Sequence, residues 1–174
     1  MKLPILIHPD PRLKKVAAPV DDISDKLRAL ADNMLTTMYE APGIGLAAPQ
    51  VGIGSRLIVL DCEKADDAVP RPLVMVNPQV VAASDETNTY DEGCLSIPDV
   101  YADVTRPEAV TVRWMDLNGA EQEETFDGLW ATCVQHEIDH LEGKLFIDYL
   151  SGLKRQLITR KMVKLKRDRA RDGA

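Results

Sequence analysis

Apolar residues recur at Ile23, Leu27, Leu30, Met34, Leu35 and Met38, with Asp21 and Asp22 just ahead of them. That spacing predicts one amphipathic helix of about five turns with an N-cap at the aspartates. Gly43-Ile44-Gly45-Leu46-Ala47-Ala48-Pro49-Gln50 breaks the pattern, and its glycines and proline predict a loop leading toward a strand. The apolar runs Leu57–Leu60 and Leu73–Val76 predict buried strands, with the polar, proline-bearing stretch 63–72 between them as an exposed loop. Val110, Val112 and Trp114 then alternate with Thr111, Arg113 and Met115. Asp116-Leu117-Asn118-Gly119 supplies a turn, and Glu121–Phe126 reads as the returning strand of a hairpin. From Asp127 to Leu141 the period becomes helical, with Gly143 placed to end the helix as its C′ residue. A last helix carries Leu150, Leu153, Leu157, Ile158, Met162 and Leu165 on one face. Strands in the middle and helices toward both ends make the fold class α+β.

The chain has 174 residues with 45% hydrophobic content, enough for one globular domain over 1–174 with a real core. Cys62, Cys94 and Cys133 cannot all pair and show no CxxC spacing, which argues against a disulfide framework and for a reducing compartment. The opening residues are too short and proline-broken for a signal peptide, and no run approaches the roughly 20 apolar residues of a membrane helix. A soluble, cytoplasmic protein without membrane or DNA partners is expected. Charge is uneven. Residues 154–174 hold nine Lys/Arg against Asp168 and Asp172, so the tail carries +7. The remaining 12 basic and 26 acidic residues leave the body at −14, and the two sum to the net −7. A basic C-terminal segment, 150–174, on an acidic body points to a polyanionic partner for the tail.

The chemistry concentrates in His136-Glu137-Ile138-Asp139-His140, an HExxH motif within the last central helix. Positions i and i+4 share one helical face, so both imidazoles can reach one ion, while Glu137 can touch a water on that ion without ligating. Downstream, Asp139, Glu142 and Asp148 offer no further histidine; upstream, the best third ligand is Cys94 in Glu92-Gly93-Cys94-Leu95-Ser96. Cys62, in an apolar run, reads as a small core residue. Cys94 follows a glycine in a polar stretch, where packing explains it poorly. A Cys/His/His set leaves a fourth position open, the arrangement of a catalytic rather than a structural site.

With these residues in place the chain resembles the peptide deformylase family. Three ordered motifs carry the resemblance: Gly43-Ile44-Gly45-Leu46-Ala47-Ala48-Pro49-Gln50, Glu92-Gly93-Cys94-Leu95-Ser96, and Gln135-His136-Glu137-Ile138-Asp139-His140. Pro9-Asp10-Pro11-Arg12-Leu13 also looks like the family's opening segment, so the likeness spans nearly the whole chain. Tyr101 stands where many bacterial members carry an arginine, a departure that touches only a peripheral substrate contact. The resemblance implies antiparallel or mixed β-sheets packed around a central, metal-binding HExxH helix, flanked by an N-terminal and a C-terminal helix. It implies removal of the formyl group from the formyl-methionine that begins new proteins, releasing formate. Metal-activated water would attack the formyl carbon, with Glu137 as general base and then acid. The Gln50 side-chain amide and the Leu95 backbone N–H would stabilise the oxyanion. One divalent ion is implied, iron(II) first, with zinc, nickel or cobalt as alternatives.

Leu129 and Cys133 lie seven and three residues before His136, on roughly its face. With Ile44 they are candidates to line a pocket for the methionine side chain; ordinary core packing is the competing reading. The backbone around Gly43, Gly45, Glu92 and Gly93 is the expected partner for an extended peptide added as a strand, which suits formyl-methionyl nascent chains of any sequence. For the tail, the resemblance implies docking on the ribosome, against the plainer reading of a solvated helix. Two other functions share some of these features. A zinc endopeptidase would need another third ligand and would cut internal bonds; a metal-stabilised binding module would have no use for Glu137 and Gln50.

Overall fold

The computed structural model describes residues 1–63 and 68–173. Residues 64–67 of the loop expected over 63–72 lie outside the described part. Glu63 and residues 69–72 are exposed, as expected.

Helix α1 (Asp25–Glu40) begins later than Asp21 and Asp22 suggest. Its N-cap is Ser24, whose hydroxyl accepts from the Leu27 N–H at 3.2 Å. That satisfies one of the four N–H groups every helix start leaves without partners. The segment after it is not a bare loop: Gly45–Ala47 form strand β1, and a 3-10 turn over Ala48–Val51 follows. β2 (Leu57–Leu60), β3 (Leu73–Ala83), β6 (Ala109–Met115) and β7 (Glu121–Asp127) complete a five-stranded sheet ordered β1-β2-β3-β6-β7, antiparallel throughout. β3 runs well past the expected end at Val76. Asn77-Pro78 looks like a stop but is a bulge, with Asn77 at φ +51 and a register shift between Val76 and Gln79. The Asn77 amide fastens this bulge to both backbone groups of Val20, at 2.8 and 2.9 Å.

β2 explains the layering. Leu57 and Val59 face α1, where Leu27, Ala31, Met34 and Met38 are buried; Ile58 and Leu60 face the opposite side. That opposite side is covered by helix α2 (Gly128–Leu141) through Ala131, Cys133, Val134 and Leu141. A strand buried on both faces reads as an unbroken apolar run, which is why β2 was legible. α2 ends as expected. Gly143 sits at φ +74, its N–H bonded to the His140 carbonyl and the Lys144 N–H to that of Asp139, a Schellman ending.

β4 (Thr87–Cys94) and β5 (Ile97–Pro107) form a separate two-stranded hairpin, closed by a two-residue turn at Leu95-Ser96. Neither strand was expected. Helix α3 (Gly152–Asp172), capped by Ser151, packs on this side of the molecule. A third apolar cluster under it joins Leu13, Ile97, Val104, Phe146 and Met162. Only part of the expected apolar face is used. Met162 is fully buried and Ile158 and Leu165 pack beside it, but Leu153 and Leu157 are 68% and 54% exposed. Burial on α3 starts at Ile158, and residues 152–157 of its first turns are exposed. No helix among the described residues is long and apolar enough to cross a membrane.

Candidate active site

α2 lies between the sheet and the β4–β5 hairpin, and these three elements bring the candidate ligands together. His136 and His140, one turn apart on α2, approach to 3.2 Å between their Nε2 atoms. Cys94, at the end of β4, places its Sγ 3.4 Å from His140 Nε2. The donor atoms of Cys94, His136 and His140 all lie within 4.8 Å of one another. One cysteine sulfur and two imidazoles converging on a point are the borderline-soft set suited to iron(II), zinc or similar ions, and three protein ligands leave a position free for water or substrate.

The ligands are held from behind. His136 Nδ1 lies 3.1 Å from Glu92 Oε1. Arg106 grips the same carboxylate with two N–H groups, Nε to Oε2 at 2.7 Å and Nη2 to Oε1 at 3.0 Å. Its third donor, Nη1, reaches Asp139 Oδ2 at 2.8 Å, which also accepts from Tyr149 Oη at 2.7 Å. The Tyr149 ring lies under the guanidinium, 4.8 Å from centroid to Cζ. Arg106 and Glu92 are only 4% and 6% exposed, so little solvent screens this pair. Desolvation works against ionised Glu92, but the bonds from His136 and Arg106 outweigh it and hold its carboxyl below the ordinary range. Nothing in the sequence marked Arg106 or Tyr149. A buried arginine looks like any surface charge until its carboxylates are found in space.

Glu92 was expected to meet the peptide through its backbone, and its side chain is engaged elsewhere. It lines a cavity beside these ligands, and both its side-chain oxygens are committed to Arg106 and His136. The side chain braces the His136 imidazole from behind.

Glu137 points from α2 toward β1. It is 4% exposed and its Oε1 has no hydrogen-bond partner among the described residues. A buried, unpaired carboxylate oxygen costs on the order of 1–3 kcal/mol unless something else satisfies it, so this oxygen is open to a partner from the cavity. Burial, opposed by His136, pushes the Glu137 carboxyl up to about 7, the range in which one group can both take and return a proton. Gly45 permits this placement: a Cβ there would lie 2.5 Å from Glu137 Oε2. Burial also drives His140 well below its ordinary value. His136 is desolvated too, but its contacts with Cys94 and Glu92 prevail and raise it.

Gln50 stands on the other side of the ligands. Its Oε1 accepts from the Ala47 N–H at 2.9 Å, which fixes the amide's orientation. Its Nε2 donates to Ser96 Oγ at 3.1 Å and lies 3.5 Å from Cys94 Sγ. Leu95 occupies the hairpin turn directly after the cysteine. Its side chain is the nearest neighbour of Gly43.

A cavity of about 800 Å³ opens over these residues, a size typical of small-ligand and peptide sites. Its wall includes every expected substrate residue: Gly43, Ile44, Gly45, Glu92, Gly93, Leu129 and Cys133. The two readings of Cys133 merge. It belongs to the α2 core cluster and lines the cavity, with its Sγ 3.6 Å from the Ile44 carbonyl. Cys62 is buried in that same cluster, as its apolar surroundings suggested.

Comparison with known proteins agrees with this geometry. The family model described as polypeptide deformylase matches residues 2–156. A peptide deformylase of Rhizobium meliloti is 54% identical over 166 residues, covering 95% of each chain. The crystal structure of a peptide deformylase from Legionella pneumophila superposes with a TM-score of 0.90 at 46% identity, covering 98% of this chain and 99% of that one. The peptide deformylase of Ehrlichia chaffeensis, solved in complex with actinonin, gives 0.91 at 37% identity, covering 95% and 98%.

Proposed function

Because this chain belongs to the polypeptide deformylase family, a family of metal-dependent hydrolases, we propose how its own residues remove the formyl group from formyl-methionyl nascent peptides. The observation that carries the reading is the conjunction of the Cys94/His136/His140 triad with an unpaired, buried Glu137 beside it. The three donors fit a divalent ion, iron(II) first and zinc, nickel or cobalt as alternatives. When bound, that ion supplies Lewis-acid polarisation and acidifies water.

The remaining work falls to the chain. The methionine side chain enters between Ile44, Leu129 and Cys133, and the peptide backbone runs along Gly43–Gly45 on one wall and Gly93 on the other, as an added strand. This places the formyl carbon between Glu137 and Gln50. Glu137 accepts the proton of the attacking water and returns it to the departing amine, so one carboxylate serves both halves of the reaction. The Gln50 amide, its oxygen already held by Ala47, turns its N–H from Ser96 to the developing oxyanion, joined by the Leu95 N–H from the hairpin turn. Such donors raise the rate because they are aligned before charge appears. Glu92, Arg106 and Asp139 keep His136 from rotating.

Residues 1–174 act as one catalytic unit in the cytoplasm, with 150–174 as its basic tail. Lys161 and Lys164 are exposed on α3, and we assign to them a salt-sensitive contact with the ribosome. Charge reversal at both weakens co-sedimentation with ribosomes; unchanged co-sedimentation removes that assignment.

The test of the activity is formate release from formyl-Met-Ala-Ser by protein prepared without oxygen and loaded with iron(II). Acetyl-Met-Ala-Ser and an internal-cleavage peptide run beside it. Formate from the first, with little action on the others, supports the deformylase reading. Internal cleavage without formate overturns it in favour of an endopeptidase.

A further inference from the structure

The cavity does not end at the methionine pocket. Its wall continues to Lys2 and Ile5 of the N-terminal segment, Asp99 and Tyr101 of β5, and Arg169 of α3. The helical spacing accounts for Arg169. Met162, Leu165 and Arg169 fall at i, i+3 and i+7, one face of α3. Met162 is fully buried and Leu165 packs beside it, so this face is the one turned to the body. Arg169 is exposed at its far end, where the body gives way to the groove. The N-terminal segment is fixed in place by the residues that flank the metal ligands. Leu6 N–H donates to the Gln50 carbonyl at 2.7 Å and His8 N–H to the Ser96 carbonyl at 2.9 Å. Neither Lys2 nor Arg169 enters an ion pair among the described residues.

We propose that the end of α3 forms the outer wall of the peptide groove, and that Arg169, assisted by Lys2, makes this enzyme favour substrates with an acidic side chain two or three residues after the formylated methionine. The inference rests on the deformylase reading and extends it. A peptide lying against β1 advances about 3.3 Å per residue, so its later residues leave the methionine pocket and pass the outer wall. A guanidinium on a long stem can follow a mobile carboxylate and bind it with two donors. Asp91 and Asp99, both exposed on the same wall, oppose this preference with their own charge but have a single methylene of reach, so Arg169 prevails and the two aspartates only reduce the effect. The basic tail thereby has a second task, reading the chain that the metal site processes.

The test compares formyl-Met-Ala-Glu-Glu, formyl-Met-Ala-Lys-Lys and formyl-Met-Ala-Ser-Ser at low ionic strength with the full-length iron(II) enzyme. The readout is the ratio of kcat/KM for the Glu and Lys peptides, each normalised to the Ser peptide in the same preparation. Exposed charge pairs of this kind give a preference of about two- to fivefold for Glu. It resides in KM, and it shrinks as salt is raised. Arg169→Lys keeps the sign, Arg169→Glu reverses it and Asp99→Asn enlarges it. Damage to α3 alone would lower all three peptides together and leave the ratio unmoved. A ratio near one in the wild type, or one untouched by Arg169→Glu while formate is still released, overturns this inference alone. No formate from any of the three overturns the deformylase reading and this inference with it.

Discussion

Replacing Glu92 by Gln isolates the support behind the metal ligands. The side chains have nearly the same shape, so the cavity walls stay in place. What changes is that one acceptor oxygen becomes an NH2 group. If it replaces Oε2 it faces Arg106 Nε, and if it replaces Oε1 it faces both Arg106 Nη2 and His136 Nδ1. Either way a donor meets a donor in a site where both partners are nearly inaccessible to water. Breaking a buried pair by removing one charge costs about 3–5 kcal/mol. Arg106 keeps Asp139 as a second carboxylate at 2.8 Å, which places this variant near 3 kcal/mol. For a chain of this size that is a fall of about 6–12 °C in Tm, taking about 2–4 °C per kcal/mol. Loss of the acceptor behind His136 also loosens a ligand, which weakens metal affinity about 10–100-fold. The pH dependence has a definite sign. The folded-state value of Glu92 lies below its ordinary 4.5, so its ionised form stabilises the wild type above that value. That contribution is lost as pH falls through the lower folded value, and Glu92→Gln lacks this acid-side component. Thermal unfolding of both proteins from pH 7 down to 3, with metal competition against a chromophoric chelator, measures each part. A Tm within 2 °C of wild type at pH 7 together with unchanged metal affinity refutes the reasoning.

Further expectations follow from the same geometry. Gln50→Ala retains its metal but loses about 10²–10³ in kcat, the usual effect of removing one oxyanion donor; near-normal turnover in metal-replete protein removes Gln50 from that role. Gly45→Ala drives a methyl group into the stem and carboxylate of buried Glu137, so kcat falls at least tenfold and overpacking costs about 1–3 kcal/mol of stability, and an unimpaired variant would show that Glu137 has room to move. Met162→Ala empties a fully buried site under α3 and costs about 2–5 kcal/mol. Leu157→Ala, on the exposed first turns of the same helix, stays within about 0.5 kcal/mol; equal losses from the two in denaturant titrations would mean that α3 packs along its whole length.

How far the sequence reaches is clearest at the two ends of the triad. His136 and His140 were legible because a helix's period puts i and i+4 on one face, and Gly143 marks where that helix stops. Cys94 was found by its neighbours, but its setting was not. β4, Thr87–Cys94, is almost wholly polar, and only Glu92 in it is buried. A two-stranded hairpin with both faces partly wet leaves no alternation strong enough to read. β3 was cut short because Asn77-Pro78 carries the chemistry of a turn while acting as a bulge. α1 was started too early because Asp21, Asp22 and Ser24 are all credible caps, and only the fold decides which hydroxyl or carboxylate meets an N–H. Arg106 left no trace, since burial of a charge depends on partners that are 14 and 33 residues away in the chain. Leu153 and Leu157 have the right period for a buried face, but period cannot say where the surface they would meet runs out.

In the proposed reaction Glu137 moves the protons while Cys94, His136 and His140 hold the ion. Formate release per bound metal ion, compared between wild type and Glu137→Gln at matched metal content, tests it most directly. Glu137→Gln retains full metal occupancy with turnover at least a hundredfold lower, within the range of general acid–base contributions. Turnover within a few fold of wild type at equal occupancy contradicts it.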